Sequence, residues 1–276
     1  TAELPVTRRS FGGLPDAKSF GRLLRSDLTS IVRSPVFWVI VGLGLLMCLV
    51  ALSEVDQAFG NRSWPVTYNI TELLRGLSML FIVVLITYYS GELYWRDRDM
   101  GLDGIAHALP VRSRHRILSH LTAVLIVGGL VLVLMSLAGM ATQLAMGYTR
   151  LQAGLYLVSF IGPGLVAFAF WCMLALAVQM VVHHKYAGFG LFVVLFAVNT
   201  LIWRFLKVES NLIVLYGSPR LWYSDMNGFG PFLMPWLFFK AYWLAFASVL
   251  FFGGALLLVR GGETTWRWRS PWWSTS

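Results

Sequence analysis

Within the stretch GELYWRDRDMGLDGIAHALPVRSRH, residues 91–115, Glu92 and Arg96 lie four positions apart with the acid first. That order and spacing set the two side chains on one helix face and favour an ion pair. Such a pair stiffens a helix; it neither activates water nor holds a phosphate. The other reactive side chains are no closer to a catalytic set. His183 and His184 stand together at a helix end without a nearby carboxylate, and there is no HExxH, so zinc hydrolysis is unsupported. No GxxxxGK[ST] is present to cradle a nucleotide phosphate. Cys48 and Cys172 both fall in apolar runs, where a buried thiol is the default and a disulfide is not expected. Gln143 and Asn199 also occupy apolar runs, without a convincing catalytic partner in the sequence.

The elements that must carry these residues are membrane helices. Of the 276 residues, 57% are hydrophobic and only 13% charged, outside the range of a soluble domain. Mean hydropathy is +0.68. Hydrocarbon about 30 Å thick needs about 20 apolar residues per helical crossing. Six runs qualify, at 36–52, 73–90, 117–146, 153–182, 186–206 and 235–259. The third and fourth exceed one bilayer thickness, which implies tilt or extension into the headgroups. The first apolar run begins only at residue 36 and no small-residue cleavage site follows, so no cleavable leader is expected. A first residue of Thr rather than Met suggests a processed product or a piece of something longer.

Basic residues set the orientation. With the N-terminus in the cytoplasm, 15 of the 22 Lys and Arg fall on that side, and both termini are cytoplasmic. The net charge of +9 then answers anionic lipid; no folded basic module for nucleic acid is present. Trp266, Trp268, Trp272 and Trp273, interleaved with Arg267 and Arg269, follow the last crossing directly and suit an interfacial anchor. Glu72 with Arg75, and Arg204 with Lys207 and Glu209, lie near outer helix ends, where snorkelling to the interface is the first reading and a functional role, paired or wetted at membrane depth, the alternative. Gly128, Gly129, Gly139, Gly162, Gly164, Gly253 and Gly254 suit close helix packing or kinks.

Two further segments stand out. Phe20, Leu24, Leu28 and Ile31 share one helical face while Lys18, Arg22, Arg25 and Arg33 supply a basic side. This predicts an amphipathic helix in the headgroup plane, turning upward at Ser34-Pro35; a plain cytoplasmic extension of the first crossing is the alternative. After the second crossing, Trp95, Leu102, Ile105, Ala106 and Leu109 repeat at helical spacing, which predicts a helix over 91–109 stopped by Pro110. A cytoplasmic helical hairpin results, with charges offered to a partner. Between the last two crossings, YGSPRLWYSDMNGFGPFLMPW is either a membrane-dipping turn, a small outer cap, or an aromatic-belt loop anchored by Trp222, Tyr223 and Trp236.

The segment GELYWRDRDMGLDGIAHALPVRSRHRILSHL resembles the stretch after the second membrane helix of ABC-2 type transporter permeases, in which G-E-x-x-x-R-E leads to L-P. The matching positions are Gly91, Glu92, Arg96, Asp97, Leu109 and Pro110, with Asp97 standing where Glu is usual. More narrowly, this wording and LPVTRRSFG look like the second six-helix half of long bacterial permeases that carry an M1-family aminopeptidase-like domain, whose zinc motif is absent here. The resemblance implies an all-α fold of six transmembrane helices in a bacterial inner membrane. It divides the chain into a cytoplasmic segment (1–34), a transmembrane domain (35–260) and a tail (261–276). It further implies an exporter half that is not itself an enzyme, pairs with a second six-helix half, and binds no cofactor. ATP and Mg would belong to separate ATPase subunits. Glu92, Trp95, Arg96, Leu102, Ile105, Leu109 and Pro110 would face that ATPase, beside the interfacial helix of Phe20, Leu24, Leu28 and Ile31. Pro219, Trp222, Tyr223 and Pro231 would form an outer gate. A non-transporting membrane anchor or signalling subunit is the competing expectation, and an intramembrane enzyme would need a buried catalytic pair that the sequence does not offer.

Overall fold

A computed structural model gives the fold; it describes residues 13–53, 65–101, 113–182, 184–206, 210–223 and 226–256. The described residues form seven long helices: α1 (Gly13–Arg33), α2 (Pro35–Ser53), α3 (Thr67–Asp99), α4 (Ser113–Ala145), α5 (Ala153–Val181), α6 (Lys185–Leu206) and α7 (Leu233–Leu256). Leu102, Ile105, Leu109, Pro110, His183, Lys207, Glu209 and the tail from residue 257 lie outside the described residues.

Five helical stretches are long and apolar enough to cross a membrane: Pro35–Ser53, Thr67–Asp99, His115–Ala145, Ala153–Val181 and Gly230–Leu256. The run expected as a further crossing, α6, contributes a shorter apolar stretch, Lys185–Leu201. Burial follows apolarity in an unsymmetrical way. α5 has no charged residue and is apolar all round, so it becomes the central helix, with Phe168, Phe170, Trp171 and Cys172 closed off on every side. It packs on α3, α4, α6 and α7. α2 and α7 are as apolar but peripheral; Trp38, Val39, Leu43 and Leu46 on α2, and Phe238 and Val249 on α7, are exposed. A bare apolar face of that size suits lipid.

Local chemistry sets the element ends. Pro35 opens α2, where a missing N–H costs nothing, and Ser34 alone separates it from α1. α3 closes at Asp99, not at Leu109, because Met100 and then Gly101 at φ +67° turn the chain out; their N–H groups bond the carbonyls of Arg96 and Arg98. α5 carries a π-turn at Leu157–Ile161 just before Pro163. Pro163 has no N–H to offer the carbonyl of Ser159 four residues back, so the ladder is broken there.

Gln143 turns out to be structural. Its amide donates to the carbonyl of Pro65 at 2.9 Å and to Thr67 Oγ1 at 3.2 Å, and accepts from Tyr156 Oη at 2.8 Å. It ties the start of α3 to α4 and α5. Several of the glycines expected at helix contacts sit there: a Cβ on Gly128 would strike the Phe168 ring, and one on Gly164 would lie 2.8 Å from Leu132. Gly253 has open space instead.

Candidate functional site: a buried acid and a cation-lined cavity at opposite ends of the bundle

α1 buries the face that its periodicity marks. Leu24 and Leu28 pack on the core and Ile31 is enclosed, Phe20 is half-buried, and Lys18, Arg22, Arg25 and Arg33 are exposed. In the middle of this apolar face sits Asp27, 1% exposed. An isolated buried carboxylate would be very costly. Here three groups from two other helices meet it. Arg96 Nη2, in the last turn of α3, donates to Oδ1 at 3.0 Å. From α4, Ser119 Oγ donates to Oδ2, and His120 Nδ1 lies 3.0 Å from the same oxygen. A carboxylate only accepts, so Nδ1 carries the proton. Burial by itself would raise the Asp27 pKa, but the hydrogen bonds and charge from His120, Ser119 and Arg96 outweigh it and hold the carboxyl below its ordinary value. Asp27 is therefore ionised and joins α1, α3 and α4 at one point.

A second layer of charge surrounds this point. Asp97 lies 3.3 Å from Arg116 on α4, and Lys185 at the start of α6 reaches both Glu92 (2.8 Å) and Asp99 (2.7 Å) on α3. The i,i+4 pair expected between Glu92 and Arg96 is thus replaced by partners on other helices. Arg96 reaches Asp27 because both point into the same seam, and a buried carboxylate attracts the guanidinium more strongly than a half-exposed one. Trp95, expected on a partner-facing surface, is 7% exposed. Its indole N–H donates to Gln179 Oε1 on α5 at 2.9 Å. Gly91 on α3 and Gly188 on α6 leave the room that Gln179 fills; a Cβ on either would collide with neighbouring side chains, Gln179 among them.

About 30 Å along α3, counted as 21 residues from Arg96 back to Arg75 at 1.5 Å each, the bundle opens into a cavity of about 640 Å³. Its walls are the first turns of α3, the π-turn region of α5, residues 216–223, and Trp236 and Lys240 of α7. Pro219, Trp222 and Tyr223 of the expected gate line it; Pro231 stands apart in an exposed 3-10 turn, Gly230–Phe232. The irregular segment is fastened firmly. Asn199 of α6 brackets Leu215, accepting from its N–H at 3.1 Å and donating to its carbonyl at 3.2 Å. Trp243 donates to the carbonyl of Gly217 at 2.9 Å. Irregular backbone tucked among helices needs such partners.

Of the three cations that line this cavity, Arg220 is exposed beside Trp222, and two are drawn into the fold. Lys240, 6% exposed, donates to the carbonyl of Tyr216 at 3.0 Å, and its Nζ stands 3.3 Å from the Tyr216 ring centroid. Arg75 Nη2 takes the Ser159 carbonyl that Pro163 leaves unmet. Among the described residues no carboxylate lies within 4.0 Å of either cation. Arg75 is not the snorkelling side chain that the sequence suggested: it turns inward.

The sequence signals for Asp27 and Lys240 were present but faint. An acid on an otherwise apolar face, one turn from Leu24 and Ile31, marks a buried partner-seeking group; a lone Lys inside LFFKAYW marks another. Among the described residues no three His, Cys, Asp or Glu side chains gather as a metal site. Comparison of the chain with protein-family models, with curated proteins and with solved structures gave no match.

Proposed function

We propose that this chain is the membrane-spanning half of an ATP-driven exporter of the ABC-2 type, coupled to a separate ATPase subunit through α1 and the 91–115 segment. The observation that carries this reading is the Asp27 junction. α1 presents a basic face outward and is fixed on its inner face to the ends of α3 and α4 through one buried carboxylate. A push on α1 reaches both crossings without first deforming a loop.

In this reading the Asp27 end is cytoplasmic, both termini lie there, and the membrane is a bacterial inner membrane with anionic lipid against Lys18, Arg22 and Arg25. α6 supplies the sixth crossing: its 22 residues span about 33 Å at 1.5 Å each, enough for hydrocarbon about 30 Å thick. A second six-helix half completes the pathway. ATP and Mg are bound by the partner, where hydrolysis occurs.

The test is purification of the tagged chain in mild detergent from cells expressing its neighbouring genes, with mass spectrometry of what is retained. Met100, which is exposed, and Ile105 are each changed to Asp, while Trp95 is left intact because it belongs to the core. Retention of an ATPase by the native chain and its loss from folded variants supports the exporter reading. If the native chain retains no ATPase, the chain is a membrane anchor or signalling subunit instead.

A further inference from the structure

We propose that the cavity bounded by α3, α5, α7 and residues 216–223 binds an anionic amphiphile, its phosphate or carboxylate held by Arg75 and Lys240 and its apolar part laid against Tyr216, Trp222 and Trp236. This goes beyond the exporter reading and holds whichever role the whole chain has.

Charge identifies the headgroup. Three cations, Arg75, Arg220 and Lys240, line the cavity against one acid, Glu72. A cationic ligand is repelled; an anionic one supplies the counter-charge that the fold leaves out. The donors are also unspent. Arg75 Nε and Ser159 Oγ are both buried without a hydrogen-bond partner, and both residues line the cavity. Both atoms are enclosed, so they are polar groups of the wall with unused bonding capacity rather than contacts already open to a ligand. Lys240 uses one N–H on the carbonyl of Tyr216, which leaves others to give.

The walls identify the rest of the molecule. At about 640 Å³ the space is within the range of small-molecule sites, roughly 300–1,000 Å³. Its aromatic walls exclude a bare inorganic anion as the best fit, because they offer an apolar surface that such an ion cannot use. The local backbone is built for the purpose at some cost. Tyr216 is held at φ +64°, where a non-glycine residue is strained, and the adjoining α5 carries its π-turn. These departures from regular structure converge on the same cavity.

The experiment is native mass spectrometry of the chain purified in a neutral maltoside detergent and titrated separately with dodecyl phosphate, dioleoyl phosphatidylglycerol and dioleoyl phosphatidylcholine. Lys240→Met removes one cation. Gly76→Phe fills the cavity from its α3 wall, where an added Cβ meets nothing within 4 Å. Arg75→Lys keeps the charge, and Arg25→Gln removes an exposed cation at the far end. The native chain binds one equivalent of an anionic probe and none of the phosphatidylcholine. Lys240→Met and Gly76→Phe each weaken binding about tenfold or more, as loss of a charged hydrogen bond or of the space predicts; Arg75→Lys retains most of it and Arg25→Gln all of it. Binding of both phosphates establishes the shared chemistry. Binding of the phosphatidylglycerol alone assigns the site to a bilayer lipid, and of dodecyl phosphate alone to a single-chain amphiphile. Equal binding of phosphatidylcholine overturns the proposal, as does native affinity in Gly76→Phe, which reads the site even if Lys240→Met fails to fold.

Discussion

The two ends of α3 handle buried charge in opposite ways. Around Glu92–Asp99 each acid has a cationic partner on the same or another helix: Asp27 of α1 with Arg96, Asp97 with Arg116, Glu92 and Asp99 with Lys185. At Tyr68–Met79 the cations Arg75 and Lys240 are held by carbonyls and rings. Charge that is compensated inside the fold can only hold helices together, since any outside ligand would have to displace a partner already in place. Charge left uncompensated is costly to bury and is kept where something else completes it. The same helix therefore carries a lock at one end and an open receptor at the other.

The largest effect expected is at the lock. Asp27→Ala leaves Arg96 and His120 facing a void, at a cost of about 4 kcal/mol, seen as a large drop in thermal stability in detergent. At the other end, Asn199→Leu removes both partners of the Leu215 backbone and costs about 2 kcal/mol. Hydrogen exchange should rise over residues 210–217 while the Asp27 end stays protected; a uniform rise would deny that the two ends are separate units. Gly188→Ala forces Gln179 off Trp95 and costs about 1–2 kcal/mol by overpacking, readable as a shift in Trp fluorescence together with a lower melting temperature. Lys185→Met costs least, about 1 kcal/mol or below, because its partner Asp99 is half-exposed and screened.

Acid tests the lock separately. Asp27 has a folded-state pKa below its unfolded value, so its contribution is fully present above the unfolded pKa and is lost as pH falls through the folded one. The native chain should lose stability as pH drops below about 4, and Asp27→Asn should be less stable at neutral pH but show a smaller loss over that acid range. Parallel acid curves for the two would show that Asp27 is not ionised in the fold.

Much of this architecture was legible from spacing alone. Five of the six apolar runs mark helices long and apolar enough to cross a membrane, because hydrocarbon thickness imposes a length, and the face of Leu24, Leu28 and Ile31 is read directly from helical period. Partner choice was not legible. Arg96 has Glu92 four residues away, yet pairs with Asp27, 69 residues distant in sequence, because the seam between α1, α3 and α4 decides it. Lys240 is a lone cation among apolar residues in the sequence, but its partner, the Tyr216 carbonyl, comes only from the inward fold of residues 210–223. Spacing misplaces the end of α3 for a local reason: the apolar repeat continues past Asp99, but Gly101 takes a left-handed turn that the repeat does not reveal.

The most direct measurement compares the melting temperatures of Asp27→Asn and Lys240→Met with that of the native chain in the same neutral detergent, without added lipid. A lock and an open receptor predict opposite behaviour. Asp27→Asn lowers Tm by several degrees, whereas Lys240→Met leaves it unchanged or raises it, because relief from burying an uncompensated charge offsets the lost carbonyl and ring contacts. A fall of equal size in both variants would contradict the account and make Lys240 as structural as Asp27.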